Sequence, residues 1–268
     1  MKRQIFTFTT SDLLPYIDWS YFFHAWSISL KDYNSSVVLQ LKREALQVLD
    51  ETVDVKALFA LCDAHSNNED IIIEGTCLPL LRQQHADSSK PNLCLSDFIS
   101  PKTDKIGLFA TTTNLEKRVA DEQNDSYRRL LVQTVADRIA EATASLLHKI
   151  VRTDSTLWGY APNENISIEE LNREQFQGIR PAVGYPSLPD QSVIFIIDEI
   201  LNLKEIGIEL TDSGAMYPHA SVCGLMLAHP LARYFSVGDI TEEQLIDYAS
   251  RRAISPSYLK KFLVRNVM

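Results

Sequence analysis

Several features that assign a sequence to a class are missing from this chain. Its 268 residues contain no apolar run of about 18 residues, the length that a membrane-spanning helix requires. The first residues, MKRQIFTFTTSDLLPYID, show neither the uninterrupted apolar stretch nor the cleavage site of a secretory signal. There is no C-x-x-C pair, and we predict reduced, mostly buried thiols at Cys62, Cys77, Cys94 and Cys223. These absences predict a cytoplasmic protein that does not enter a membrane.

Positive charge is scarce, and the common ligand-binding motifs are also absent. With 26 basic and 35 acidic residues the net charge is −9, which argues against nucleic acid as a partner because phosphate recognition relies on a basic patch. No G-x-G-x-x-G, P-loop or G-x-S-x-G motif occurs, and the six histidines lack the spacing of a metal site. We therefore expect no bound metal and no nucleic-acid partner.

The chain does contain a mixture of helical and strand patterns. Apolar residues recur at three- and four-residue steps from about Asn114 to Arg152, which predicts a long amphipathic helix. Other helices are predicted around residues 37–52, over Ser167–Gln177 and Ser192–Ile206, and from Thr241 and Ser255-Pro256. Strands are predicted at Val55–Cys62, Asp70–Glu74 and Lys105–Thr112, with a hairpin of Ser221–Ala228 and Arg233–Ile240. Because helices and strands do not alternate regularly, we predict an α+β fold in a single domain, residues 1–268.

The segment GIRPAVGYPSLPD, from Gly178 to Asp190, is the clearest candidate for a binding element. Its prolines lack hydrogen-bond donors and favour extended backbone, so we expect neither a helix nor an ordinary strand. Arg180 can bind a carboxylate through two parallel hydrogen bonds, Gly184 lets a ligand lie against the backbone, and Tyr185 offers a flat face with a polar tip. These residues indicate a small ligand with a carboxylate and a flat or cationic portion. A rigid structural crossover is an equally good interpretation.

Three carboxylates outside this segment are of interest. Asp18 lies in the aromatic-rich stretch YIDWSYFFHAW, whose rings are predicted to pack into the core, and a carboxylate there needs a donor or a cation nearby. Asp137 and Glu141 are four residues apart on the long helix and therefore share a face. Such a pair is typical of a solvated helix surface. An acid–base enzyme built on the pair is a minor alternative, because no third group completes a site.

These pieces occur together and in order in one known family. YIDW, LRQQ, LSDFISP, ADRIAEA, WGYAPNEN, QGIRPAVGYP and HPLARYFSV resemble the activation domain of cobalamin-dependent methionine synthase, over residues from about Leu13 to Val264. The resemblance implies a C-shaped α+β domain with a twisted, mainly antiparallel sheet and helices at its ends. It also implies that the domain binds S-adenosylmethionine.

In that family the domain serves reductive reactivation of vitamin B12. The resemblance implies that one electron from a flavodoxin-type donor and a methyl group from S-adenosylmethionine restore oxidised cobalamin, which the partner protein carries. The chain shows no methyltransferase barrel and no cobalamin-binding motif, so we expect a component of a methyltransferase system that cannot make methionine alone. The initial Met1 indicates a stand-alone subunit that serves a cobalamin-dependent methionine synthase lacking its own activation domain.

The family's R-x-x-x-G-Y motif falls on Arg180, Gly184 and Tyr185. The resemblance implies that Arg180 holds the methionyl carboxylate, while the backbone near Ala182 and Tyr185 surrounds the rest of the ligand. Further ligand contacts are implied at Asp18, Glu141 and Tyr234, and acids at the edge of the site or at an interface at Asp137 and Glu174. Because a sulfonium methyl is already activated, catalysis is mostly positioning, and we expect no catalytic nucleophile.

This sequence departs from the family pattern at Gln191, Gly214 and Tyr217, and over the stretch Leu61–Pro79. Such changes either loosen ligand affinity or mark a different docking partner. The alternative function is therefore a non-catalytic, S-adenosylmethionine-responsive adaptor, or a docking partner for another corrinoid protein. Such a protein would bind ligand and partner without methyl transfer to cobalt.

Overall fold

Helices and strands are mixed along the chain. The computed structural model describes residues 1–29, 31, 35–50, 54–85, 90–115, 120 and 124–263. The strands in this part are β1 Lys2–Phe8, β2 Val55–Asn67, β3 Asp70–Ile73, β4 Thr76–Pro79, β5 Asp104–Thr113, β6 Glu209–Leu210, β7 Met216–Tyr217 and β8 Ser221–Met226. The α-helices are α1 Thr10–Leu13, α2 Trp19–Ala25, α3 Ser36–Asp50, α4 Ser126–Thr153, α5 Ile168–Asn172, α6 Val193–Leu201, α7 Glu242–Arg251 and α8 Pro256–Leu259.

Six of these strands form one antiparallel sheet. Its order is β4-β3-β2-β5-β8, and β1 pairs with the edge of β2 that also carries β3. The strands β6 and β7 form a separate antiparallel pair. The predicted α+β fold with a mainly antiparallel sheet is therefore confirmed. No helix of the described ranges is both long enough and apolar enough to cross a membrane.

The long central strand β2 is buried on both faces of the sheet. Successive side chains of a strand point to opposite faces, so Ala57 and Phe59 enter one hydrophobic core, while Leu58 and Ala60 enter another. The first core contains the buried face of α4, and the second contains α6. A strand that is buried on both faces has a continuous run of apolar residues instead of alternating apolar and polar ones. This is why the sequence predicted a buried strand here.

The bounds of three predicted helices need correction. The long helix begins at Ser126, because the Asp125 carboxylate caps it by accepting from the Arg128 amide at 3.0 Å. Asn114, its predicted start, lies in a turn, and residues 116–119 and 121–123 fall outside the described residues. Helix α5 has the predicted capping box of Ser167 and Glu170 but ends at Asn172 rather than Gln177. The helix predicted over 192–206 is interrupted at Asn202, where the backbone is left-handed with φ 55°.

The remaining helix starts and cysteines follow the sequence predictions more closely. Thr241 caps α7 by accepting from the Gln244 amide, and Ser255 caps α8 with Pro256 in its first turn. The cysteines are predominantly buried: Cys62, Cys94 and Cys223 are buried, whereas Cys77 is exposed. Burial raises the pKa of the Cys62 thiol to about 12, which leaves it uncharged.

The hairpin predicted for 221–240 does not form. Strand β8 is present as Ser221–Met226, but residues 233–239 are not a strand. The edge of β8 that the second strand would occupy is taken by residues 179–183, through bridges of Ile179 to Leu227 and of Ala182 to Gly224. The proline-containing segment 178–190 thus lies directly against the main sheet.

Candidate ligand-binding site

A cavity of about 590 Å³ lies beside the segment 178–190. Its walls come from helix α4, from the chain that leads into α2, from the chain that follows α5, and from residues 234–235. This volume is within the range typical of sites for small molecules, about 300–1,000 Å³. The cavity is therefore large enough for a ligand of cofactor size.

The segment 178–190 is held on β8 by backbone hydrogen bonds, none of which needs a proline as donor. The Ile179 and Leu227 amides exchange hydrogen bonds at 2.9 Å, and the Val183 amide donates to the Cys223 carbonyl at 2.9 Å. Pro181 has no N–H, but its carbonyl accepts from the Leu225 amide at 3.0 Å. The segment is therefore fixed before any ligand binds.

Two glycines allow this close packing. A Cβ atom on Gly224 would lie 2.3 Å from the Pro181 carbonyl oxygen, so only glycine fits beneath the segment. Gly184 has φ +83° at the third position of a turn in which the Tyr185 amide donates to the Ala182 carbonyl at 3.2 Å. A side chain on Gly184 would also meet Gln191 Oε1 at 2.6 Å. The structure thus assigns Gly184 a role in the turn itself.

Helix α4 contributes one polar face to the cavity. Arg138, Glu141, Ser145 and His148 all line it, at steps of three, four and three residues. Residues at such steps lie on one side of a helix. The sequence analysis singled out Glu141 but paired it with Asp137, which lies outside the lining. The signal that would have identified the face is a polar stripe along a helix that is otherwise rich in alanine and leucine.

Arg180 is held at the cavity wall by few contacts. Its backbone amide donates to the Tyr234 hydroxyl at 3.0 Å, and its Nη2 donates to Ser145 Oγ at 2.8 Å. Among the described residues its nearest carboxylate partner is Glu141, with Nη1 and Oε2 separated by 3.6 Å. Within that part of the chain most N–H donors of Arg180 are therefore available for a ligand.

Glu141 and Tyr185 form a pair at the cavity mouth. The Tyr185 hydroxyl donates to Glu141 Oε1 at 2.5 Å. Burial and the negative charge of Glu141 raise the pKa of Tyr185, so the phenol keeps its proton at neutral pH. The Tyr185 residue is nonetheless 51% exposed, so its ring is accessible to a ligand or partner.

Two more carboxylates line the cavity in different ways. Asp18 caps α2, and its Oδ1 accepts from the Ser20 amide at 2.9 Å and from the Ser20 hydroxyl at 2.5 Å. Ser20 is therefore the hydrogen-bond donor that a carboxylate among aromatic rings was expected to need. Glu174 has a left-handed backbone with φ 57°, and burial raises its pKa, an effect that Arg180 partly offsets. A non-glycine residue in that conformation is strained, which is common at binding sites.

The stretch WGYAPNEN packs beneath the cavity. The Tyr160 hydroxyl lies 2.8 Å from His148 Nε2, and Arg152 Nε donates to Glu164 Oε2 at 2.7 Å. The Arg152 guanidinium carbon lies 4.4 Å from the centre of the Phe176 ring, which itself lines the cavity. This stretch therefore packs against the α4 wall of the cavity.

The structure brings most of the predicted site residues together. Around one cavity lie seven of them: Asp18, Glu141, Glu174, Arg180, Ala182, Tyr185 and Tyr234. Gly184 and Asp137 lie outside the lining. The single positions that depart from the family pattern also lie outside it: Gln191, Gly214 and Tyr217. Gln191 Nε2 donates to the Gly214 carbonyl at 2.8 Å. The ligand contacts themselves remain predictions.

The chemistry of the cavity is that of a site for a small ligand of mixed charge. A guanidinium lies beside carboxylates, and aromatic rings complete the wall. Such a site suits a molecule with both a carboxylate and positive charge. The architecture is thus an antiparallel α+β fold with a cavity beside one edge of the sheet.

Comparison with known proteins identifies the family. Residues 9–253 match the family of the vitamin B12 dependent methionine synthase activation domain, and this chain belongs to that family. A crystal structure of the MetH reactivation domain bound to AdoHcy is similar to it, with 37% sequence identity and a TM-score of 0.91. The likeness covers 100% of this chain and 90% of that chain.

Proposed function

We propose that this chain is a reactivation subunit that binds S-adenosylmethionine and supports reductive methylation of cobalamin in a separate methionine synthase. The observation that carries the proposal is the placement of Arg180 beside Glu141, Asp18 and Glu174 around one cavity. S-adenosylmethionine has one carboxylate and two cationic groups, the ammonium and the sulfonium. The family and the AdoHcy complex of a similar structure support the same ligand.

In this proposal Arg180 binds the methionyl carboxylate, and the acidic side chains stabilise the positive charges of the ligand. The backbone of Ala182, Gly184 and Tyr185 and the Tyr234 ring hold its remainder. Asp137 lies on α4 outside the cavity lining, and we place it at the edge of the site or at an interface with the partner. The chain's own residues therefore bind and orient the methyl donor and exclude water from it.

The overall reaction uses three reactants: S-adenosylmethionine, cob(II)alamin on the partner and an electron donor. One electron from a flavodoxin-type donor reduces the partner's cob(II)alamin to cob(I)alamin. The methyl group then passes to it as the carbon–sulfur bond of the sulfonium breaks, and the electron pair of that bond stays on sulfur. S-adenosylhomocysteine leaves as the product. The partner in this proposal is a cytoplasmic methionine synthase that lacks an activation domain of its own.

Two measurements test the proposal in sequence. Calorimetric titration should show binding of S-adenosylmethionine and S-adenosylhomocysteine to the isolated chain. An oxidised methionine synthase without an activation domain should then regain activity when the chain, S-adenosylmethionine and a reduced flavodoxin are added together. Omitting any one of the three should abolish the recovery. Binding without recovery would favour the adaptor, and absence of binding would refute both.

A further inference from the structure

His148 is a buried polar group in the cavity wall with one unused nitrogen. The residue is 1% exposed and lines the cavity. Its Nε2 lies 2.8 Å from the Tyr160 hydroxyl, whereas its Nδ1 has no hydrogen-bond partner among the described residues. Tyr160 is not part of the lining. One nitrogen of the imidazole is therefore bound by the protein, and the other is enclosed without a hydrogen-bond partner among the described residues, in a side chain that lines the cavity.

The charge state of this imidazole follows from its surroundings. Burial lowers the pKa of His148 well below 6.5, and the positive charges of Arg152 and Arg180 lower it further. The ring is therefore neutral at physiological pH, and only one of its two nitrogens carries a hydrogen.

The position of that hydrogen is set by Tyr160. Burial raises the pKa of Tyr160, so its hydroxyl keeps its proton. Within the described ranges, His148 Nε2 is the one hydrogen-bond partner of that hydroxyl. If Nε2 carried the hydrogen, the part-buried Tyr160 O–H would have no acceptor among the described residues, which is costly. The Tyr160 O–H therefore donates to Nε2, and the hydrogen of His148 is on Nδ1.

A donor of this kind needs an acceptor from within the cavity. No carboxylate of the described residues accepts a hydrogen bond from His148 Nδ1, and the charged groups that lower the pKa of His148 are the cations Arg152 and Arg180. The Phe176 and His148 rings form a T-shaped pair with centroids 5.1 Å apart, and an aromatic face is only a weak acceptor. The proximity of Arg180 marks the nearby space as favourable for an anion.

We propose that His148 is a ligand-binding residue, whose Nδ1–H donates a hydrogen bond to the same carboxylate of S-adenosylmethionine that Arg180 binds. This inference rests on the proposed function, since it takes the ligand from there. In this arrangement the neutral, buried N–H of His148 acts together with the charged guanidinium of Arg180. The two donors together orient the methionyl end of the ligand, and His148 does so without adding positive charge near the sulfonium.

Two substitutions at this position separate the two nitrogens of the ring. His148→Gln places an amide near the Nε2 position, so it keeps a partner for Tyr160 and removes the donor at Nδ1. His148→Asn places its amide near the Nδ1 position and gives up the contact with Tyr160. His65→Gln, at an exposed position on β2, is the matched control for the same change of residue. Thermal melts establish that each variant is folded before titration.

The readouts are calorimetric affinities for S-adenosylmethionine and for its decarboxylated form. His148→Gln should weaken binding of S-adenosylmethionine by about tenfold or more, as expected for a hydrogen bond to a charged group. It should leave binding of the decarboxylated form unchanged. His148→Asn should retain more affinity than His148→Gln, and His65→Gln should bind like the unmodified chain.

Nitrogen NMR of the ligand-free chain provides an independent readout. It should show the His148 hydrogen on Nδ1, and the Nδ1–H signal should shift downfield when S-adenosylmethionine binds. If the unmodified chain binds S-adenosylmethionine and His148→Gln binds it equally well, His148 is not a ligand contact and only this inference is overturned. Equal weakening for both ligands would overturn the assignment to the carboxylate. If the unmodified chain binds neither, the proposed function fails with it.

Discussion

Each end of the segment 178–190 carries an ion pair. The pair at Asp190 is buried and closely hydrogen-bonded, whereas the pair at Arg180 is partly exposed and more widely separated. At its C-terminal end the Asp190 carboxylate is 2% exposed and accepts from Arg252 Nη1 at 2.6 Å and from the Tyr248 hydroxyl at 2.8 Å. Its other oxygen accepts from the Ser192 amide at 2.8 Å and from the Ser192 hydroxyl at 2.7 Å. Every strong acceptor position of Asp190 is thus used within the protein.

At the other end the arrangement is incomplete. Arg180 has a side chain that is 21% exposed, and the closest carboxylate oxygen in the described part of the chain is 3.6 Å away, on Glu141. A saturated buried pair holds structure, because removal of either partner leaves an unpaired charge in the interior. An unsaturated one retains binding capacity for a ligand. The same segment therefore combines an anchor at Asp190 with a binding group at Arg180.

The largest effect should come from breaking the anchor. Asp190→Ala leaves the Arg252 guanidinium and the Tyr248 hydroxyl buried without their acceptor, so the free energy of unfolding should fall by about 3–5 kcal/mol. Urea denaturation measures the change. The control is Glu169→Ala, whose exposed pair with Arg173 should be worth about 0.5 kcal/mol or less. If Asp190→Ala lowers the free energy of unfolding no more than the control does, the Asp190 pair contributes no more to stability than an exposed ion pair.

The second effect should be on binding rather than on stability. Arg180→Ala removes a charged partner of the ligand carboxylate, so the affinity for S-adenosylmethionine should fall by about tenfold or more. The free energy of unfolding should change by only about 1 kcal/mol, because Arg180 makes few protein contacts. Arg180→Lys keeps the charge but loses the planar fork, and its affinity should be intermediate. Unchanged affinity in calorimetry would remove Arg180 from the site.

A third, smaller effect on affinity should depend on the positive charge of the ligand. Glu141→Gln removes one negative charge from the wall and keeps the shape of the side chain. The affinity for S-adenosylmethionine should fall by about threefold to tenfold, as expected for a partly exposed charge pair. The affinity for S-adenosylhomocysteine should fall less, because its sulfur is uncharged. Equal losses for the two ligands would place Glu141 at the ammonium rather than at the sulfonium.

The two ends also differ in how far the sequence predicts them. Arg180 and its neighbours could be recognised from local chemistry, because a proline-rich segment with an arginine and a Gly-Tyr pair is unusual. Asp190 and Arg252 are 62 positions apart, and no local pattern connects them. The placement of the segment on β8 likewise depends on the close approach at Gly224, a contact between distant parts of the chain.

Features that depend only on neighbouring residues were predicted correctly from the sequence. The caps at Ser167 and Thr241 follow from spacing within one helical turn, and both are present. The predicted length of α5 was wrong because the turn at Glu174 adopts a left-handed backbone that glutamate seldom takes. The polar face of α4 was only partly recognised, since Ser145 and His148 look unremarkable until Arg180 and Tyr160 lie against them.

The smallest effect should be a pH dependence at Glu174. Burial raises the pKa of its carboxyl above the ordinary value of 4.5, so the folded state holds this proton more tightly than the unfolded state. Stability from this group is therefore present at low pH and is lost as pH rises through the folded pKa. Glu174→Gln has no such ionisation, so its free energy of unfolding relative to the unmodified chain should rise from about pH 4.5 upward and level off at neutral pH. Urea denaturation from pH 4 to 7 tests this prediction, and an advantage of the glutamine variant that grows as pH falls would contradict it.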